Sequence, residues 1–160
     1  MAQNILITGG GGYLGYTIVP IMLEAGHKVT VIDKFMIKQN TLAQNCLNPN
    51  FEIYRGDARD KLTLKPLVKD ADIIIPLAGI VGAPMCDADK TAAKSTNSGS
   101  IITLIKMLSI DQHIIIPITN SGYGIGEKDR ECTESSTLNP ISLYGITKVE
   151  AEKTVLDRGN

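Results

Sequence analysis

At 160 residues and 43% apolar content, the chain is long enough for one domain with a sizeable core, and two domains would be crowded. The formal net charge of −1 provides no basic field to attract nucleic acid or an anionic membrane, so small molecules and other proteins are the expected partners. No apolar run approaches the ~20 residues that span a bilayer, and the start lacks the charged-then-apolar pattern of a signal peptide, so a cytoplasmic location is expected.

The first strand signal is Asn4-Ile5-Leu6-Ile7-Thr8, an apolar run that stops at Gly9-Gly10-Gly11-Gly12-Tyr13-Leu14-Gly15. A helical pattern from Tyr16 to Ala25 follows, with Gly26 placed to end it and Pro20 near its middle, where a missing N–H should bend the axis. Lys28 to Asp33 alternates and then runs apolar into an acid, as a buried parallel strand does at its carboxyl end. Residues 34–50 read as a loop with a short helix, closed by an Asn48-Pro49-Asn50 turn. Phe51 to Arg55 is a third strand, followed by a short helix that Pro66 should interrupt. Ile73 to Gly79 reads as a fourth strand, with Pro76 near its end because a central strand cannot easily give up an N–H.

A helix is expected from about Asp87 to Ile110, with Ile101, Ile102, Leu104, Ile105 and Leu108 as its apolar face and Ser98-Gly99-Ser100 weakening its middle. His113 to Ile118 is the fifth strand. A polar loop from Asn120 to Asn139 is long enough to be a functional surface, and a final helix runs from about Leu143 to Leu156. Strands alternate with helices throughout, which predicts an α/β domain over residues 1–160: a Rossmann-type doubly wound parallel sheet in three αβα layers. The cysteines, Cys46, Cys86 and Cys132, are far apart and odd in number, without a CxxC. They are expected to be isolated reduced thiols in or near the core, with neither a disulfide framework nor a metal site.

Gly9, Gly12 and Gly15 are spaced as GxxGxxG between a strand and a helix, with Asp33 ending the next strand. A helix N-terminus behind a glycine turn offers unpaired N–H groups and a partial positive charge to a phosphate. In that context the pattern predicts dinucleotide binding. Asp33 would accept from the adenosine ribose hydroxyls and repel a 2′-phosphate, which favours NAD, while neighbouring Lys34 leaves room for NADP. Asp57 follows a strand of the same sheet, and either accepts from the adenine amino group or forms an Asx turn.

Tyr144 and Lys148 are four apart on a predicted helix and point the same way. A free phenol, with a pKa of ~10, is a poor base at neutral pH, and the ammonium of Lys148 and a positively charged nicotinamide would both favour the phenolate. Thr119 ends the fifth strand, on the side of the sheet where ligands bind, and its hydroxyl could meet a substrate near Tyr144.

Together these residues resemble the extended short-chain dehydrogenase/reductase family, in its NAD-dependent epimerase/dehydratase branch acting on nucleotide sugars. Thr8 to Gly15, Tyr13 and Leu14 included, resembles the TGGxGxxG cofactor loop. Gly56-Asp57, followed by Ala58, resembles the adenine-side acid, and Leu77-Ala78-Gly79 the segment passing over the cofactor. Asn97 resembles the mid-helix asparagine that supports the active site, and Tyr144 to Lys148 the YxxxK pair. The resemblance departs at Gly122-Tyr123-Gly124, which lacks the usual valine, at Pro117 and Ile118, and at Pro76, where a histidine often sits.

The resemblance implies NAD as cofactor and a UDP-, dTDP- or GDP-linked sugar as substrate. Tyr144 would take the hydroxyl proton, Lys148 would hold the nicotinamide ribose, and Thr119 would bond the reacting oxygen, giving a 4-keto sugar before epimerisation or dehydration. It also implies a homodimer through the helices around 87–110 and 143–156, which the apolar face of residues 101–108 fits. Family members continue for about as long again past the YxxxK helix into a substrate domain, so the chain reads as a fragment or as a short form lacking that domain. Two other readings are a reductase of small carbonyl compounds and a catalytically silent NAD-binding module.

Overall fold

The computed structural model describes residues 1–36, 41–126 and 131–159. Five parallel strands form one sheet in the order β3-β2-β1-β4-β5. They are β1 (Asn4–Thr8), β2 (Lys28–Asp33), β3 (Phe51–Arg55), β4 (Ile73–Pro76) and β5 (His113–Ile114). The helices are α1 (Tyr13–Glu24), α2 (Lys61–Lys69), α3 (Ala83–Ala88), α4 (Lys90–Lys94), α5 (Ser100–Ile105) and α6 (Leu143–Leu156), with a π-helical turn at Ser95–Gly99 between α4 and α5. The chain builds outward from β1 through β2 to β3, then crosses back to lay β4 on the other side of β1. That reversal opens a crevice at the carboxyl ends of β1 and β4, where ligands of doubly wound sheets bind.

Strand alternation gives the sheet two apolar faces. Ile5, Ile7, Val29, Val31 and Ile75 pack with Val19 and Leu23 of α1. Leu6, Ile32 and Ile74 point the other way, to Leu64 and Val68 of α2 and Leu104 of α5. A third cluster, Ile101 with Ala151 and Val155, joins α5 to α6.

The first three strands and α6 have the predicted bounds, and the Asn48 side chain closes its turn by accepting from the Asn50 N–H at 2.9 Å. The expected short helix is a 3₁₀ turn at Ala43–Asn45, while positions 37–40 and 127–130 of the predicted loops lie outside the described residues. Five elements differ from expectation. α1 begins at Tyr13 rather than Tyr16, because Gly12 already takes the extended cap conformation. α2 continues through Pro66: Leu62, whose carbonyl would have received the missing N–H, is 85% exposed and open to water.

The long helix expected from residue 87 to 110 is three short helices and a π turn. It starts early at Ala83, breaks at Asp89, whose side chain caps α4 through the Ala92 N–H at 2.9 Å, and ends at Ile105. The fourth strand stops at Pro76 and the fifth after Ile114 for one reason. The ladder runs His113 N–H to Asp72 and Ile115 N–H to Ile74. Two residues further on each strand stand Pro117 and Pro76, neither of which has an N–H to continue it. Among the cysteines only Cys86 is buried; Cys46 and Cys132 are exposed, contrary to expectation.

Candidate functional site

The glycine turn lies in the crevice, and its glycines divide by what demands them. A Cβ on Gly9 would lie 2.4 Å from the Ala78 nitrogen, and one on Gly15 1.9 Å from the Gly10 carbonyl oxygen, so packing alone excludes a side chain at both. Gly12 is different. Its φ is −87°, and an added Cβ would meet only the Gly9 carbonyl oxygen, at an ordinary 3.4 Å. The fold tolerates a side chain there, and the missing one leaves open space in front of α1. No side chain caps that helix, so its first N–H groups, at Tyr13 and Leu14, face the opening with the positive end of the helix dipole behind them. Tyr13 and Leu14 are themselves exposed. This arrangement fits a dinucleotide pyrophosphate.

Asp33 closes one side of the turn. Its carboxylate accepts from the Gly11 N–H at 3.0 Å and the Phe35 N–H at 2.6 Å, and holds Phe35 at φ +51°, the one described residue other than glycine with positive φ. A carboxylate has about four acceptor positions, so two remain for ribose hydroxyls. Asp57 sits at the end of the neighbouring strand. The Arg59 guanidinium clasps it from Nε (3.0 and 3.1 Å) and Nη2 (2.6 Å), and the Lys34 ammonium lies 3.3 Å away. The Arg59 hydrogen bonds hold the Asp57 carboxyl below the usual carboxylate range. The Lys34 ammonium is thus turned to Asp57. Asp57 also accepts from the Arg59 backbone N–H at 2.9 Å, which is the Asx-turn alternative of the sequence reading. Ala58 is buried and has only its backbone to offer a ligand.

The other wall is one connected unit. Ala78 abuts Gly9, and Gly79 lies beside Asn97: a Cβ there would be 3.3 Å from the Asn97 Oδ1. Asn97 is 3% exposed. Its Oδ1 accepts from the Ile80 N–H at 2.7 Å, and its Nδ2 donates to the Ile80 carbonyl at 2.9 Å and the Thr147 hydroxyl at 3.2 Å. The π turn puts this asparagine at the level of the segment after β4, as such bulges often do at functional sites. Thr147 in turn donates to the Tyr144 carbonyl at 3.0 Å, so Asn97 ties the segment after β4 to the helix that carries Tyr144 and Lys148. Ser142 caps that helix through the Gly145 N–H at 3.1 Å.

Thr119 begins a 3₁₀ turn at Asn120–Tyr123, and its hydroxyl accepts from the Ser121 N–H at 3.2 Å. The turn touches the start of α6 closely enough that a Cβ on Gly145 would lie 2.7 Å from the Ser121 carbonyl oxygen. The Thr119 segment and the first turn of α6 are thus adjacent. Burial lowers the pKa of Lys148, and no carboxylate among the described residues pairs with it. A desolvated, unpaired ammonium favours a hydroxyl-rich or anionic neighbour.

Sequence reasoning did not find Arg59, Ser95 or Thr147. Arg59 stood two positions from Asp57 with a fork suited to a carboxylate, which was a usable signal. Ser95 and Thr147 gave none, since single hydroxyls carry no pattern. Among the described residues, no three His, Cys, Asp or Glu come together as a metal site, and no helix is long and apolar enough to cross a membrane.

Sheet order, glycine turn and the Asn97 unit define a Rossmann-type α/β domain with a phosphate-ready turn at its switch point. A sequence model of the NAD dependent epimerase/dehydratase family matches residues 5–159, and the chain belongs to that family. It is similar to a UDP-N-acetylglucosamine 4,6-dehydratase (inverting) of Campylobacter jejuni, 28% identical over 99% of this chain and 44% of that protein. It is also similar to a UDP-glucose 4-epimerase of Lactobacillus helveticus, 26% identical over 94% of this chain and 46% of that protein. Among solved structures, the UDP-glucuronic acid 4-epimerase of Bacillus cereus, in complex with UDP-glucuronic acid and NAD, superposes with a TM-score of 0.86 at 26% identity, over 97% of this chain and 52% of that one. The chain spans about half the length of these relatives.

Proposed function

We propose that residues 1–160 form the cofactor domain of a nucleotide-sugar epimerase or dehydratase, binding NAD in the crevice between β1 and β4. The observation that carries this reading is the Asn97 bridge, because a phosphate-ready turn alone serves many proteins. Asn97 joins the cofactor wall to the Tyr144 helix in one buried hydrogen-bonded unit.

In this reading the N–H groups of Tyr13 and Leu14, with the space at Gly12, hold the pyrophosphate; Gly9 and Gly15 shape the turn. Asp33 takes the adenosine ribose, while Asp57 and the Ala58 backbone take the adenine. Leu77, Ala78 and Gly79 line the floor, and Asn97 fixes them. The preference for NAD over NADP rests on the Asp33 charge and on Lys34 being held by Asp57. The chemistry NAD supplies when bound is hydride acceptance and return at a sugar carbon. Tyr144 takes the proton of the sugar C4 hydroxyl, and the Lys148 ammonium beside it favours the phenolate while donating to the nicotinamide ribose. Thr119, with its Oγ1 free to donate, steadies the reacting oxygen.

A homodimer through α3–α5 and α6 is part of the proposal, but on different residues from those first expected. Ile101 and Leu104 are spent inside the fold, so an interface would rest on exposed residues such as Met85 and Ile146.

The test is incubation of the NAD-loaded full-length protein with UDP- and dTDP-sugars. A keto sugar or a C4 epimer is expected, lost in Tyr144→Phe. Turnover of small aldehydes alone, or NAD binding without any sugar turnover, would overturn the sugar reading.

A further inference from the structure

One side chain links the two walls of the crevice. Arg59 points Nε and Nη2 at the Asp57 carboxylate and Nη1 at the Ser95 hydroxyl, 2.9 Å away and 36 positions along the chain. Ser95 is held in turn, donating to the Ala92 carbonyl at 3.1 Å. It is the first residue of the π turn, two positions before Asn97. A guanidinium has a planar, fixed fork, so an arm on Ser95 dictates the plane in which the other arms present Asp57.

We propose that Arg59 is a positioning residue that sets the Asp57 carboxylate for the adenine amino group and braces it, through Ser95, on the π turn that holds Asn97. The inference rests on the NAD reading and adds to it a strut between the adenine end and the Tyr144 end of the crevice. A lysine at position 59 could match the charge but not the fork. Lys34, the other cation on Asp57, is 45% exposed in its side chain and lies 3.3 Å from the carboxylate.

The adenine amino group and its absence can be compared directly by titrating the full-length protein with NAD and with nicotinamide hypoxanthine dinucleotide, which carries an oxygen in place of that amine. Loss of one hydrogen bond to a charged acceptor corresponds to a preference for NAD of about tenfold or more. Arg59→Met should cut that ratio to about a third or less, Ser95→Ala should cut it by a smaller factor, and Arg59→Lys should restore little of it. A purely structural loss would weaken both ligands alike and leave the ratio unchanged.

A second readout is hydrogen exchange at the Ile80 amide, which Asn97 holds. Ser95→Ala should speed it by about threefold or more if the strut steadies the π turn. Should Arg59→Met fail to fold, Ser95→Ala, which deletes one hydroxyl, still decides both readouts. A NAD preference and an Ile80 exchange rate both unchanged in Ser95→Ala, with the preference lost in Asp57→Asn, would overturn the strut and leave the NAD reading standing. No NAD binding by the unaltered protein would remove the NAD reading and the strut with it.

Discussion

Gly15 and Gly12 carry opposite demands. An alanine at 15 drives its Cβ into the Gly10 carbonyl, a backbone atom that cannot swing aside, and should cost about 3 kcal/mol in urea unfolding. Asp57 gives a pH prediction. Its folded pKa lies below the ordinary 3.8, so between the two values the unfolded chain binds a proton that the folded one does not. The stability this contributes is full at neutral pH and is lost as the pH falls below about 4. Melting temperatures from pH 6 to 2 should therefore fall less steeply in Arg59→Met than in the unaltered protein. For Tyr144→Phe, sugar turnover should drop by about 10²-fold or more while NAD affinity changes little, as loss of a general base does. At this scale Asp33 was legible from its place at the end of β2, and Asn97 only through the family resemblance. The partners that hold them were not, because the Gly11 N–H on Asp33 and the Thr147 hydroxyl on Asn97 are brought there by chain reversals that no local pattern records.

Helix ends and strand ends are decided by groups outside the element. Gln112 shows this. It is 8% exposed, donates through Nε2 to the Val68 and Ala71 carbonyls at 2.6 Å each, and accepts from the Ser109 N–H at 2.8 Å. It thus adds a donor to carbonyls at and just past the end of α2 from a loop 41 positions away from Ala71. Gln112→Ala should cost about 2 kcal/mol by chemical denaturation, since the Ala71 carbonyl loses its side-chain donor and the Val68 carbonyl keeps only backbone N–H groups. Strands β1 to β3 and helix α6 were legible because pattern and end signals agree: Ser142 precedes the α6 pattern, and the charged residues Asp33 and Arg55 end β2 and β3. β5 was overread because His113 to Ile118 is apolar enough for a strand. The ladder is instead cut by Pro76 on the neighbour as well as by Pro117 in the run, and a pattern read along one segment cannot see the other. The helix after residue 83 broke where Asp89 could cap and the π turn could aim Asn97, a functional placement that overrides periodicity.

At the scale of the whole molecule, the strand order places everything that bears on the cofactor. β1 is central, with β2 and β4 on either side, so the glycine turn, Asp33 and the segment after β4 meet at one end of the sheet. That end is inherent in alternating strands and helices with right-handed crossovers, which is why the fold class could be read before any contact was known. The central claim is that the open space at Gly12 and the uncapped start of α1 hold the pyrophosphate of NAD. Titration calorimetry of NAD into the full-length protein, beside Gly12→Val, tests it most directly. The fold admits a side chain at 12, so the variant should melt within a few degrees of the unaltered protein, at a cap cost of about 1 kcal/mol. The unaltered protein should bind NAD, in preference to NADP, and Gly12→Val should not bind it. NAD binding of equal strength in Gly12→Val would contradict the claim.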